Sequence, residues 1–201
     1  MVKNIKTDDI IREESNLIEP ENADVSPVSH AATPPTSRKS LLRLTLAGAL
    51  SALILVATLF LGVPTAIGYI HMGDGVILLA SYLLGPFAFF PAAIGSALAD
   101  LLKGYTVYIP ATFVIKGLMG LVAGIIMKKE NVSMVRKLLA FAAAEEIMIA
   151  GYFAFETLMY GAKAASVSVL WNLVQGAAGM AIAMILCLLL EKFRRNNRAR
   201  V

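Results

Sequence analysis

Charge, cysteine and histidine are all scarce in this 201-residue chain, and each shortage removes a class of function. Charged residues make up 16% of it, hydrophobic residues 58%, and the mean hydropathy is +0.71, proportions that a soluble core of this size does not need. The composition is that of a protein integral to a membrane. Cys187 is the single cysteine, so no intrachain disulfide can form, and its place inside an apolar run suits a small hydrophobic filler. With His71 the one histidine of the hydrophobic portion, a zinc or haem site has no second ligand to build on. There is no Walker A sequence, no Gly-x-Ser-x-Gly, no His-Glu-x-x-His and no carboxylate cluster of a lipid phosphotransferase. No catalytic residue, metal or cofactor is expected. Any active transport must then draw its energy from a partner or an ion gradient.

Residues 1–37 differ from the rest. Seven acids stand against Lys3, Lys6 and Arg12, a net −4, and a Ser/Pro/Thr-rich run follows. Such a segment buries too little apolar surface to fold, so a disordered acidic cytoplasmic tail is expected there. It lacks the basic start and short apolar core of a cleaved signal peptide. Because the whole chain carries +4, residues 38–201 carry +8. That excess flanks hydrophobic runs and is no nucleic-acid footprint. The expected organisation is a membrane domain over 38–192 and a basic cytoplasmic tail over 193–201.

The expected fold is an all-α integral membrane bundle of six transmembrane helices, each near the roughly 20 residues a span needs. The spans run from about Leu41 to Leu61, Ile67 to Leu84, Phe87 to Leu102, Val107 to Met127, Leu138 to Tyr160 and Val167 to Leu190, with Gly-Val-Pro64 and Gly85-Pro86 as breaks. Arg38, Lys39 and Arg43 precede the first span. Lys128, Lys129, Arg136 and Lys137 separate the fourth from the fifth, and five basic residues follow the sixth. Six crossings put all of these on one side and leave Lys103 and Lys163 on the other, so both termini are cytoplasmic by the positive-inside rule. Four spans with re-entrant segments is the alternative, since the second and third spans are short.

Ionisable side chains inside such spans are costly and mark binding or transport sites by default. Here they are Asp74, Asp100, Lys116, Glu145, Glu146 and Glu156. Glu145, Tyr152 and Glu156 are seven and eleven residues apart and return to one helix face, while Glu146 points about 100° away. The competing structural reading pairs these acids with Lys116 to hold the bundle together. In the sixth span Asn172 and Gln175 share a face, and their amides suit a heterocycle or hydroxyl groups. Trp171, one turn from Gln175, is placed to stack on a ring. The same residues also fit an interfacial belt and interhelical glue. By depth, His71, Asp74, Glu156, Trp171, Asn172 and Gln175 fall in the outer half and Lys116 near the middle, which predicts a pocket open to the exterior. Small residues recur as Gly48/Ala52, Gly95/Ala99 and Gly120/Gly124. The last two pairs suit internal packing, whereas the ridge at Gly48 and Ala52 suits packing inside the bundle or against another membrane protein.

Taken in order, Tyr69-Ile-His-Met-Gly-Asp-Gly-Val-Ile-Leu-Leu-Ala80, Leu84-Gly-Pro86, Gly95-Ser-Ala-Leu-Ala-Asp-Leu-Leu102, Tyr108-Ile-Pro-Ala-Thr112, Lys116-Gly-Leu-Met-Gly-Leu121 and Asn172-Leu-Val-Gln-Gly176 resemble the substrate-capture (S) component of energy-coupling-factor vitamin transporters. The branch is riboflavin- and hydroxymethylpyrimidine-like, and the resemblance covers about residues 40–192. It implies a six-helix bundle in the cell membrane that binds a small vitamin or precursor from outside without catalysis. It also implies delivery with a membrane coupling subunit and two cytoplasmic ATPases, docked through a small-residue ridge matched by Gly48 and Ala52. The usual Ala-x-x-x-Ala of that ridge stands here as Gly48-x-x-x-Ala52, and the acidic tail is not typical of the family. The expected substrate site is His71, Asp74, Lys116, Tyr152, Glu156, Trp171, Asn172 and Gln175. The alternatives are a stand-alone proton-coupled secondary transporter, with the proton on Asp74, Glu145 or Glu156, and an intramembrane scaffold that binds no ligand.

Overall fold

The computed structural model describes residues 38–65, 68–128 and 132–198. The acidic segment 1–37 and the last three residues, where a disordered and part of a basic tail were expected, lie outside the described residues.

In hydrocarbon a backbone has to satisfy its own hydrogen bonds, and Leu/Ala/Ile-rich runs do so as helices. Six α-helices form among the described residues: α1 Arg38–Phe60, α2 Gly73–Leu84, α3 Phe89–Lys103, α4 Ile109–Ile126, α5 Met134–Tyr160 and α6 Ala162–Arg198. Among the described residues five helical segments are long and apolar enough to cross a membrane, with Gly73–Lys103 counting as one. That segment does not run straight. Gly85 takes φ 60°, a conformation only glycine adopts without strain, and Pro86 opens the short 3₁₀ turn that leads into α3.

Side-chain contacts show that the chain reverses there. Near the start of α1, Arg43 reaches the Leu84 carbonyl and lies 4.3 Å from the Phe87 ring. At its far end Thr58 lies 3.5 Å from His71, just before α2, and Lys103, closing α3, caps the Tyr69 ring at 4.2 Å. Thus α2 and α3 are an antiparallel pair alongside α1, about 18 Å and 22 Å long at 1.5 Å per residue.

Residues 68–72 do not extend the second span as the sequence reading expected. Gly62–Pro64 (β1) and Tyr69–His71 (β2) pair antiparallel, with Val63 opposite Ile70. Likewise α6 starts at Ala162, five residues before the expected boundary, and α5 at Met134, capped by the Ser133 hydroxyl on the Arg136 N–H.

Small residues set the helix spacing. A Cβ at Gly95 would come 2.6 Å from the Ser51 carbonyl of α1, and one at Gly120 would come 2.7 Å from the Ala88 carbonyl. At Gly124 it would overlap the Gly85 carbonyl. Both pairs expected to pack internally therefore do so. The apolar core centres on Ile54, Ile77, Leu78, Met119, Phe141 and Met148, while Leu139, Leu158, Ile185 and Leu189 project outward, as lipid-facing side chains do.

One end of the bundle gathers Arg43, the Gly85 turn and polar ties between helices: Arg136 of α5 on the Ile126 carbonyl of α4, Lys137 of α5 on Glu191 of α6, and Tyr82 of α2 on Glu191 at 2.8 Å. The β1–β2 ribbon, Lys103, Tyr105 and the junction of α5 with α6 form the opposite end.

Candidate functional site

A small cavity of about 30 Å³ opens at that opposite end, walled by Tyr69, His71, Asp100, Tyr105, Tyr108, Thr112, Tyr152, Glu156, Ser168, Trp171, Asn172 and Gln175, with Thr65, Gly68 and Ile70 from the ribbon. This is room for about one water. A ring-sized ligand enters only if side chains give way, and Trp171, 44% exposed, is the most open large side chain of the wall.

The wall draws its residues from several elements. Tyr69 and His71 are on β2, Asp100 on the last turn of α3, and Tyr105 and Tyr108 on the link into α4. Tyr152 and Glu156 share one face of α5, and Ser168, Trp171, Asn172 and Gln175 lie in the first turns of α6. The four tyrosines form a continuous arc, with ring centroids 4.9 Å apart for Tyr69 and Tyr105, 6.1 Å for Tyr105 and Tyr108, and 6.4 Å for Tyr108 and Tyr152. Tyr69 donates to Asp100 Oδ1 at 2.5 Å, and Tyr108 to Glu156 Oε1 at 3.4 Å; Thr112 and Tyr152 share a hydrogen bond of 3.0 Å. Burial, then the Asp100 charge, pushes the Tyr69 phenol far above its ordinary value, so it remains a donor.

His71 is neutral. Burial pushes its pKa down to about 3, against the smaller upward pull of Asp74. Its Nδ1 accepts the Gly73 N–H at 3.1 Å, which leaves the ring proton on Nε2.

Six of the eight residues expected to form the substrate site border this cavity: His71, Tyr152, Glu156, Trp171, Asn172 and Gln175. Asp74 and Lys116 do not. They form a fully buried ion pair beneath it, Lys116 Nζ to Asp74 Oδ1 at 2.6 Å. Gln175 ties this pair to the wall: its Nε2 donates to Asp74 Oδ2 at 2.6 Å and its Oε1 accepts the His71 N–H at 2.9 Å. Both ends of that amide are thus committed within the protein, which makes Gln175 a brace. The Asn172 side chain donates from Nδ2 to Ser168 Oγ at 3.5 Å.

Lys116 therefore takes Asp74, not a glutamate of α5, as its partner. Glu145 lies deeper than the cavity, against Gly176 and Gly179, with neither oxygen hydrogen-bonded among the described residues; Glu146 on the next face is exposed. Tyr69, Asp100, Tyr105, Tyr108, Thr112 and Ser168 were not singled out as wall residues. Asp100 had carried a signal, as a carboxylate within a span. The tyrosines had none that separated them from an interfacial belt. No cluster of three or more metal-binding side chains occurs among the described residues.

On the lipid-facing side, Gly48 and Ala52 are exposed and line an apolar groove with Leu44, Phe87, Phe90 and Ile94, formed between α1 and the start of α3.

Residues 38–192 match the family of ECF-type riboflavin transporter S components. The chain belongs to this family. It is thus a multi-pass membrane protein of a vitamin transporter, and its family is one of transport components, not enzymes. This S component is also 33% identical over 131 residues to an uncharacterized protein in the gap 3' region of Pyrococcus woesei, a match covering 65% of this chain and 87% of the relative.

Proposed function

We propose that this S component captures a small, ring-containing vitamin or vitamin precursor from the exterior in the cavity beneath the β1–β2 ribbon. It then passes the ligand inward with a membrane coupling subunit and two cytoplasmic ATPases. The observation that carries the reading is the cavity wall itself. Polar and aromatic side chains from β2, α3, α4, α5 and α6 converge on one cavity at one end of the bundle, and ionisable groups gathered in this way within a membrane protein mark a binding site by default.

Orientation follows from charge. Arg38, Lys39, Arg43, Lys128, Arg136, Lys137 and the basic end of α6 belong to the end away from the cavity, so the positive-inside rule makes that end cytoplasmic and the cavity extracellular. The reversal at Gly85 turns α2 and α3 into two short crossings, giving six, with both termini cytoplasmic and the protein in the plasma membrane. The groove at Gly48 and Ala52 offers the coupling subunit a surface where helix backbones can approach closely.

Binding to the purified full chain, coupled to uptake that requires the coupling subunit and ATP, tests this function. One observation favours a second reading. The unpartnered, buried Glu145 is the type of group that carries a proton in a self-sufficient transporter. Uptake into liposomes under a proton gradient, with no partner protein present, would establish that reading instead.

A further inference from the structure

Two buried carboxylates accept hydrogen bonds from the tyrosine arc, at its first and third rings. Asp100 and Glu156 are each 3% exposed and both border the cavity. Each uses one oxygen on a tyrosine hydroxyl, Asp100 on Tyr69 and Glu156 on Tyr108. Thr112 stands beside Asp100 and Ser168 beside Glu156. Even so, Oδ2 of Asp100 and Oε2 of Glu156 have no hydrogen-bond partner among the described residues. The cations nearby do not fill that deficit. Lys116 is bound to Asp74, and Lys103, the other, lies over the Tyr69 ring at 4.2 Å. His71 is neutral and adds no charge. With both acids ionised, the cavity has one more negative charge than Lys103 offsets.

Buried acceptor oxygens without donors are costly, and the cost is recovered when a ligand supplies the donors. Tyrosine faces attract a cation and stack on a flat ring. We propose that the cavity selects a cationic or amine-bearing aromatic heterocycle, with Asp100 and Glu156 receiving its N–H groups or positive charge and the tyrosine arc packing its ring. This rests on the cavity being the ligand site. A flavin brings N–H and hydroxyl donors but no positive charge, so it can hydrogen-bond a free oxygen yet leaves the excess negative charge of two ionised carboxylates without a counter-charge, and a buried charge without one is costly.

The experiment uses the purified full chain in lipid nanodiscs with two probes: thiamine, a thiazolium cation carrying an aminopyrimidine, and riboflavin, an uncharged flavin. Calorimetry is expected to show thiamine binding at least about tenfold tighter, the factor that 1.4 kcal/mol represents. Asp100→Asn and Glu156→Gln should each weaken thiamine at least about tenfold, and Glu146→Gln, on an exposed face, should leave it unchanged. Native mass spectrometry of the unmodified protein needs no variant and should find a retained molecule that is cationic or bears an amine on an aromatic ring. Tighter binding of riboflavin, indifferent to both amide variants yet weakened by Trp171→Ala, would overturn the substrate class while leaving the capture function standing. If neither probe bound and no small molecule were retained, the capture function would fall and this selectivity with it.

Discussion

Replacing Asp74 with Asn should be among the most damaging conservative changes in the protein. Asp74 and Lys116 are both fully buried, their charged atoms are 2.6 Å apart, and Asp74 also accepts from Gln175. The amide keeps the shape and an acceptor for Gln175 but strands the lysine charge. Removing one partner of a buried pair typically costs about 3 to 5 kcal/mol, because the remaining ion is left without compensation. Lys116→Met should cost a similar amount by stranding Asp74. The informative variant is the double one. With both charges gone, the desolvation cost disappears together with the attraction, so Asp74→Asn/Lys116→Met should be more stable than either single variant, a coupling of at least about 2 kcal/mol. Thermal unfolding of the purified protein in one detergent, followed by helical circular dichroism, measures all four members of the cycle. Losses that simply add would refute the reasoning, since independent residues add and paired ones do not.

Three further outcomes follow from other parts of the structure. Gly124→Ala should lower stability by about 1 to 3 kcal/mol, measured in the same unfolding assay, because its Cβ would overlap the Gly85 carbonyl where α4 crosses the turn. His71 should stay neutral from pH 8 down to pH 5 in nitrogen-15 NMR of the labelled ring. Between its ordinary value of 6.5 and the folded value of about 3, the unfolded chain binds the extra proton, so this group makes stability fall as pH drops through that window. Replacing Gly48 and Ala52 together with Leu should preserve ligand binding by the isolated protein and abolish co-purification with the coupling subunit, because the groove they line shares no residue with the cavity wall.

The helices were readable from hydropathy because a membrane span has few alternatives, and the Gly85-Pro86 break was readable because both residues punctuate helices. The β1–β2 ribbon was not. Ile67 and Ile70 are as apolar as a span, and the pairing of Val63 with Ile70 across a short hairpin is a choice that hydropathy does not encode. In the site, the spacing of Tyr152 and Glu156 on α5 and of Asn172 and Gln175 on α6 brought those residues to the cavity wall by helix period alone. The partnership of Lys116 with Asp74, 42 residues apart, depends on how α2 packs against α4 and had no sequence signal. The same holds for Gln175, whose amide reads equally as a ligand contact or a brace until both of its partners are known. Tyr69, Tyr105 and Tyr108 resemble an interfacial belt in sequence, and only the fold turns them inward around one cavity.

Trp171 is the one tryptophan of the chain and stands in the cavity wall, so its emission reports on that place alone. The most direct test of ligand capture there is a titration of thiamine and of riboflavin into the purified full chain, following Trp171 fluorescence beside equilibrium dialysis of the same samples. The account predicts a saturable change in emission at one ligand per protein, with the same midpoint as dialysis, and a midpoint shifted to higher ligand concentration by Asn172→Leu. Saturable binding in dialysis with Trp171 emission unaltered and Asn172→Leu without effect would place the ligand elsewhere and contradict it.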